Sequence, residues 1–277
     1  MNVTHMQTSG WNAAFYGMRN PMNSWVKSDS FFGVFNEDSN LLINEVANDY
    51  TYKNNDIDGD DPYFDTKYEK LVEEYEEWLS LNCYINIGKY ANELALIGPD
   101  DMELAQKLIK GGTEHSKFLR QIFVSMDITA PLYWWKEMDT YKVGTVANST
   151  STMHKLTSAP ITKECFEMGD FEKDLMFYEK EPYMPDINAN EFWDMFINDL
   201  ENLRKYYLKT NDIRYWKELV RLLPESWLQT RTWSANYAIL RNIYSQRKNH
   251  KLTEWHFFCS KIQTLPYARE LITIGLD

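Results

Sequence analysis

The periodicity of apolar residues changes along this chain, and the order of these changes constrains the fold more than any other feature. From Asp65 apolar residues recur every three or four positions, at Tyr68, Leu71, Val72, Tyr75, Trp78 and Leu79. This spacing is typical of an amphipathic helix. A second helix is predicted from Pro99 to the pair Gly111-Gly112, with acidic residues in its first turn.

The segment Ile122–Thr129 has a different period. Apolar residues alternate there with mostly polar ones, which predicts a half-buried strand that ends at Ala130-Pro131. Helices are predicted again further along the chain, at Glu191–Leu208, Ile213–Leu223, Ala235–Lys248 and Thr253–Ile274. The sequence contains no internal repeat. The order of two helices, a strand and several helices favours an α+β fold over a doubly wound parallel sheet.

The domain organisation follows from the absence of a linker. No stretch rich in Pro, Gly or Ser divides the 277 residues, so one domain is expected over residues 1–277. Residues 1–63 are rich in Asn, Asp, Ser and Gly and are predicted to form an irregular N-terminal extension with an acidic loop at Asn54–Asp61. The acidic spacing from Asn54 to Asp65 imitates a calcium-binding EF-hand loop. Because the bidentate glutamate is missing and Pro62 interrupts the loop, we interpret this match as chance.

The charge of the chain limits its partners. A formal net charge of −12 opposes binding to long DNA or RNA, which requires clustered Lys and Arg. A small anionic ligand stays possible, because a few arginines in one pocket can hold a phosphate whatever the net charge is.

The expected compartment is the cytoplasm. The apolar runs are shorter than the roughly 20 residues that a membrane-spanning helix needs, and the first twelve residues lack the basic and apolar regions of a secretion signal. Cys83, Cys165 and Cys259 are widely spaced and odd in number. They indicate neither a disulfide framework nor a zinc site, and no metal is expected.

The stretch from Gly111 to Phe118, followed by the predicted strand and Ala130-Pro131, resembles the middle of a flavin-dependent thymidylate synthase. That family has a helix that ends in Gly, a short turn with His, a strand, and Ala-Pro ahead of its signature motif. The resemblance implies that His115 and Ser116 contact FAD. The family's flavin-contacting glutamate and second histidine are absent from this turn, and a plain turn residue is the alternative interpretation of His115.

The C-terminal third resembles the same family more closely. Its spacing pattern matches Leu223-Pro224, then Asn236 after twelve residues, Asn242 after six more and Arg247 after five more. Arg221 precedes Pro224 one residue closer than the family arginine does. The resemblance implies that Asn236 and Asn242 bind the flavin, that Arg221 and Arg247 bind the substrate, and that Arg247 is catalytic.

The chemistry of these residues agrees with such roles. On one helix, Asn242 and Arg247 would lie about 140° apart, which lets them face two adjacent ligands. A guanidinium can stabilise negative charge that develops on a pyrimidine ring, and an amide matches the edge of a flavin. The alternative is that Arg221 and Arg247 are solvated helix residues.

The signature motif of the family is altered here. Thr140, Tyr141 and Lys142 stand where the family has Arg-His-Arg, and Thr150 stands at its second serine; a shift of one residue places Ser151 there instead. The resemblance implies that Lys142 contacts FAD and that Thr150 or Ser151 contacts the substrate. Since lysine cannot form the bidentate contacts of arginine, the phosphate and flavin contacts must differ from those of the family.

The resemblance implies an α+β fold with helices packed around a small antiparallel sheet. It also implies reductive methylation of dUMP to dTMP with FAD, NADPH and methylenetetrahydrofolate, in a homotetramer. Two alternatives stay open: a flavoenzyme that modifies another pyrimidine nucleotide, and a non-catalytic nucleotide-binding protein on the same fold. Absorbance of bound flavin would separate the enzymes from the binding protein.

Overall fold

The computed structural model describes residues 1–34, 93–178 and 186–276. The chain divides into two compact units: unit 1 contains Met1–Thr4 and Asp127–Trp233, and unit 2 contains His5–Met126 and Ser234–Asp277. The expectation of one domain over residues 1–277 stays a prediction. The predicted helix after Asp65 and the acidic loop lie outside the described residues.

Most elements of unit 2 come from the two ends of the chain. In chain order they are β1 (Asn2–Ser9), α1 (Trp11–Arg19), β2 (Phe31–Val34), β3 (Glu93–Leu96), α2 (Pro99–Lys110), α7 (Tyr237–Arg247), α8 (Thr253–Ile262) and a π-helix (Ala268–Thr273). Strands β2 and β3 pair antiparallel.

Unit 1 holds the middle of the chain. It contains α3 (Leu132–Met138), β5 (Val146–Ser149), α4 (Thr152–Lys155), β6 (Met176–Tyr178), β7 (Ile187–Asn188), α5 (Ala189–Thr210) and α6 (Ile213–Leu222). Strands β4 (Phe123–Pro131) and β8 (Leu228–Asn236) have residues in both units, as does β1.

A four-stranded sheet has the strand order β1-β4-β8-β5. Thr129 on β4 lies beside Thr230 on β8, and Asp127 lies beside Thr232, so a step along one strand is matched by a backward step along the other. This register is antiparallel. Alternate β4 residues are buried, namely Val124, Met126, Ile128 and Ala130. The predicted half-buried strand is confirmed, and so is the α+β class with its small antiparallel sheet.

The N-terminal region corrects one expectation. Residues 1–34 contain β1, α1 and β2, so this part is not irregular, while residues 35–63 lie outside the described residues. Helix α1 buries Trp11, Ala14, Phe15 and Met18 at helical spacing. The Trp11 ring meets the edges of Tyr237 at 5.2 Å and Tyr267 at 5.7 Å. The helical spacing of these apolar residues is visible in the sequence. The prediction of an irregular region followed instead from the many polar residues in residues 1–63.

Unit 1 has its own core between α5, α6 and the segment before them. Its buried members are Leu156, Ile161, Phe166, Ile197, Leu200 and Leu219. Trp134 and Trp135 on α3 are also buried, with exposed fractions of 0% and 1%. Helix α5 begins with a capping box between Asn188 and Glu191, which explains why it starts two residues before the predicted bound.

The C-terminal helices differ from the prediction at two places. The predicted helix from Ala235 begins instead at Tyr237, because Ala235 and Asn236 still belong to β8. The predicted helix to Ile274 ends at Ile262, and a π-helix follows only after Pro266, which has no backbone N–H to continue a helix. Among the residues that the structure describes, no helix is both long enough and apolar enough to cross a membrane.

A buried ion pair in unit 1 predicts acid sensitivity. Both carboxylate oxygens of Glu201 accept from Arg204, at 2.7 and 2.8 Å, and one also accepts from the Ile161 amide at 2.9 Å. The Arg204 hydrogen bond is the main cause that lowers the pKa of Glu201 from 4.5 to about 2. Since ionised Glu201 is favoured in the folded state, its contribution is full above pH 4.5 and is lost as the pH falls towards 2.

We therefore expect Glu201→Gln to flatten the acid side of the stability curve. The wild type should lose up to about 3 kcal/mol more than the variant between neutral pH and the folded pKa. Urea unfolding at neutral and acid pH measures the difference. Asp199→Asn, at an exposed carboxylate on the same helix, is the control. Parallel pH profiles for wild type and Glu201→Gln would contradict this prediction.

Candidate functional site

The segment that replaces the signature motif follows α3 in unit 1. Its backbone turns at once, since the Tyr141 amide donates to the Met138 carbonyl at 3.0 Å and the Thr145 hydroxyl donates to the Tyr141 carbonyl at 2.5 Å. Lys142 is exposed. Lys142 is the positive charge that the sequence analysis assigned to this segment, and in the structure its side chain is exposed to solvent.

Thr150 and Ser151 lie between β5 and α4. The Thr150 amide donates to the Thr230 carbonyl at 2.9 Å, and its own carbonyl accepts from the Gln229 side-chain Nε2 at 3.0 Å. Ser151 is the N-cap of α4, where its hydroxyl oxygen accepts from the His154 amide at 3.2 Å. A hydroxyl that accepts one bond still has a hydrogen to donate, so Ser151 can also bind a ligand oxygen.

The side chains of Trp135, Asp139, Gln229 and Arg231 form a network between α3 and β8, and Gln229 alone among these four contacts Thr150. Arg231 lies 4.2 Å from the ring centre of Trp135, and its Nη1 donates to Asp139 at 2.8 Å. Its Nε donates to Gln229 Oε1 at 3.0 Å. Sequence reasoning did not single out Gln229 or Arg231, because their partners are remote in the chain.

Arg221 is exposed on α6 and forms an ion pair with Glu218 one turn earlier. Among the described residues, no hydrogen bond or ion pair joins Arg221 to Thr150, Ser151 or Lys142. An exposed pair at this spacing contributes little to stability. The structure therefore gives Arg221 a local ion-pair partner.

In unit 2, His115 and Ser116 form the turn after α2. Gly112 has a φ of +97°, which favours glycine. Its carbonyl accepts from the His115 amide and from the Ser116 hydroxyl, both at 3.1 Å. The His115 ring is exposed. The turn fixes both residues locally, and an exposed imidazole can contact a ligand.

The C-terminal residues lie on and just before α7. Asn236 is the N-cap of α7, with Oδ1 accepting from the Ile239 amide at 3.1 Å and an exposed fraction of 8%. Asn242 is exposed and accepts from Gln246 at 3.0 Å. The prediction that Asn242 and Arg247 share one helix is confirmed. Asn236 precedes this helix, because its side chain caps the first turn.

Arg247 ends α7 and rests on an aromatic ring. Its guanidinium carbon lies 4.6 Å from the ring centre of Trp255, which is fully buried on α8. Such a cation–π contact is favourable and restrains the position of the guanidinium. The sequence analysis did not single out Trp255. The apolar residues of the predicted helix from Thr253 did indicate that one face of this helix is buried.

Arg241 is a second arginine of α7 that the sequence analysis missed. Its Nη1 donates to the carbonyls of Ile272 and Ile274, at 2.7 and 2.8 Å. Burial lowers the pKa of the Arg241 guanidinium. This residue holds the C-terminal segment against α7.

Cys259 on α8 is buried. Burial raises the pKa of the Cys259 thiol to about 11, so it is protonated near neutral pH. Within the described ranges, no group of three or more His, Cys, Asp or Glu side chains could hold a metal ion.

Comparisons with known proteins give a structural likeness without a sequence match. No protein-family model matches the chain, and no curated protein does. A crystal structure of thymidylate synthase X from Helicobacter pylori with FAD and dUMP aligns over 98% of this chain and 97% of its own, with a TM-score of 0.53 and 14% identity.

Two further structures align less well. Another complex of the Helicobacter pylori enzyme with FAD and dUMP covers 74% of this chain and 91% of its own, with a TM-score of 0.44 and 16% identity. The UMP/dUMP methylase PolB from Streptomyces cacaoi, bound to 5-Br dUMP, covers 70% of this chain and 83% of its own, with a TM-score of 0.43 and 13% identity. From the alignment over the whole chain, the protein has the fold of the flavin-dependent thymidylate synthases.

Proposed function

We propose that this protein is an FAD-dependent enzyme that methylates dUMP to dTMP with methylenetetrahydrofolate and NADPH. The observation that carries the proposal is the coincidence of two independent likenesses. The fold aligns over 98% of the chain with an enzyme solved with FAD and dUMP, and the family's C-terminal spacing is kept along one helix, from Asn236 at the N-cap of α7 through Asn242 to Arg247 at its last residue.

The donors in this chain suit a flavin. We assign His115, Ser116, Asn236 and Asn242 to FAD, since neutral amide, hydroxyl and imidazole groups match the polar edge of its ring. Lys142 would supply one positive charge for the cofactor's phosphates. When bound and reduced, the flavin would supply the hydride chemistry, while the protein supplies binding, orientation and charge.

Arg247 is the proposed catalytic residue. Its guanidinium would contact the uracil ring of dUMP and stabilise the negative charge that develops on it, and the Trp255 ring 4.6 Å away restrains its position. Thr150, Ser151 and Arg221, all in unit 1, are proposed substrate-binding residues. An arginine held in place before the substrate binds needs less reorganisation during the reaction.

A second function has specific support. Lys142 is exposed where the family has two arginines and a histidine, and Asn236 uses its side-chain oxygen to cap α7. These features favour a non-catalytic or altered-specificity protein that binds a pyrimidine nucleotide on the same fold.

Growth of a thymidine-requiring bacterial strain without thymidine tests the leading proposal, since it requires substrate, product and turnover together. Flavin absorbance of the purified protein separates the alternatives. A yellow protein that does not complement the strain favours another pyrimidine substrate. A colourless protein that FAD cannot reconstitute favours the binding protein and overturns the enzyme proposal.

Lys142→Ala is expected to weaken FAD binding by no more than about 1.5 kcal/mol, because an exposed ammonium gives at most one solvent-screened, charge-assisted contact. Fluorescence titration of the apoprotein with FAD measures it. Lys155→Ala, at another exposed lysine of unit 1, is the matched control. Complete loss of flavin from the Lys142 variant alone would show that this segment is central to cofactor binding.

We further propose a homotetramer in the cytoplasm. Both units carry large exposed apolar side chains, including Val26 at 95% and Met22 at 81% in unit 2 and Ile213 at 60% in unit 1. Exposed apolar side chains of this size can be covered at contacts between subunits. Light scattering of a dilute sample should give the mass of about four chains, as the family resemblance implies. A monomer would contradict the assembly.

A further inference from the structure

We infer that Gln229, held by Arg231, is a positioning residue that keeps Thr150–Thr152 in the conformation that binds the nucleotide; this inference rests on the proposed function. The four-residue strand β5 leading to this segment has only exposed residues, Val146–Ser149. Apolar burial therefore contributes little to holding it. Hydrogen bonds to β8 must fix its backbone instead.

Two of these bonds reach both backbone groups of Thr150. Its amide donates to the Thr230 carbonyl at 2.9 Å, and its carbonyl accepts from Gln229 Nε2 at 3.0 Å. Gln229 Nε2 also lies 3.5 Å from the Thr152 hydroxyl. The bond between the Thr150 amide and the Thr230 carbonyl joins two backbone groups and needs no particular side chain. The bond to the Thr150 carbonyl depends wholly on the side chain of Gln229.

Arg231 sets which way the Gln229 amide points. A guanidinium only donates, so the Gln229 group at 3.0 Å from its Nε must be the oxygen. The NH2 group then faces Thr150. Arg231 is itself fixed by the Trp135 ring at 4.2 Å and by Asp139 at 2.8 Å, and it is only 15% exposed.

Trp135 also contacts the backbone of Gln229. The Trp135 indole donates to the Gln229 carbonyl at 2.9 Å, so the ring that holds Arg231 also holds the residue that Arg231 orients. Each member therefore has its position set by the others. The net effect is that a buried tryptophan on α3 determines where an exposed loop lies.

Gln229→Glu is the sharpest test, because the carboxylate still accepts from Arg231 but cannot donate to the Thr150 carbonyl. Hydrogen exchange of the Thr150 amide should become at least about tenfold faster, and dUMP affinity measured by calorimetry should fall about tenfold, one hydrogen bond's worth. FAD affinity and the melting temperature should stay near those of the wild type.

Two variants complete the test. Asp139→Asn keeps an acceptor for Arg231 at a half-exposed position and should change dUMP affinity by less than about twofold. Arg231→Lys cannot stack and bridge two partners, so it should act in the same direction as Gln229→Glu and serves if that variant does not fold.

Unchanged exchange and unchanged dUMP affinity in folded Gln229→Glu, while the wild type binds dUMP, would overturn the positioning role and leave the proposed function intact. Equal losses of FAD and dUMP affinity with a lower melting temperature would also overturn it, since Gln229 would then stabilise the whole unit. A wild type that binds FAD but no dUMP would overturn the proposed substrate, and this inference with it.

Discussion

Asp101→Asn is expected to lower the free energy of unfolding by about 3–5 kcal/mol, the largest effect of any substitution considered for this chain. Asp101 has an exposed side-chain fraction of 0%, and its carboxylate accepts from Arg19 Nε at 2.6 Å. Its second oxygen accepts from the hydroxyls of Ser28 and Ser30, both at 2.6 Å. Asparagine would leave the buried Arg19 guanidinium without its counter-charge.

The position of Asp101 explains the size of the effect. It lies in the first turn of α2, and its contacts connect that helix to α1 and to the residues before β2. Asp29 adds a cap from the same stretch, since its carboxylate accepts from the amides of Asp100 and Asp101 at 2.8 and 3.0 Å. Loss of the ion pair therefore weakens several elements of unit 2 together.

Urea unfolding at neutral pH measures the change, and the adjacent residue supplies the control. Asp100 is exposed, so Asp100→Asn should cost no more than about 0.5 kcal/mol. A similar small loss for Asp101→Asn would mean that the ion pair is not buried in solution.

Arg247→Ala should reduce dUMP affinity or turnover at least about tenfold, because a fixed guanidinium at a developing negative charge is a large catalytic contribution. Arg247→Lys should not restore the loss, since one ammonium cannot replace a planar group that both stacks and donates in a fork. Calorimetric titration with dUMP gives the affinity, and a thermal melt verifies that the variant folds.

Trp255 makes the Arg247 experiment sharper. Removing the guanidinium uncovers one face of a buried indole, so a modest loss of stability is expected whatever the function of the arginine. Arg269→Ala, at an exposed arginine of the same unit, is the control for a change of net charge. Normal affinity and turnover in folded Arg247→Ala would leave stacking on Trp255 as its role and remove the best support for the proposed enzyme.

Sequence patterns predicted the elements whose signals are local. Helix α2 has Pro99 in its first turn and Gly111 after its last residue, and the period of β4 is visible in eight residues. The C-terminal spacing likewise placed Asn242 and Arg247 on one helix. These features can be predicted from residues that are neighbours in the chain, because capping, steric limits on the backbone and amphipathic burial act over a few residues.

The tertiary structure alone decided the surroundings of the candidate residues. Apolar and polar residues do not alternate cleanly along β8, and this strand is stabilised by its pairing with β4 and β5. The contacts of Gln229 with Thr150, of Arg231 with Trp135 and of Arg19 with Asp101 join residues some 80 to 100 positions apart. No local pattern encodes such pairs, because the partners meet only after the chain has folded and brought distant residues together.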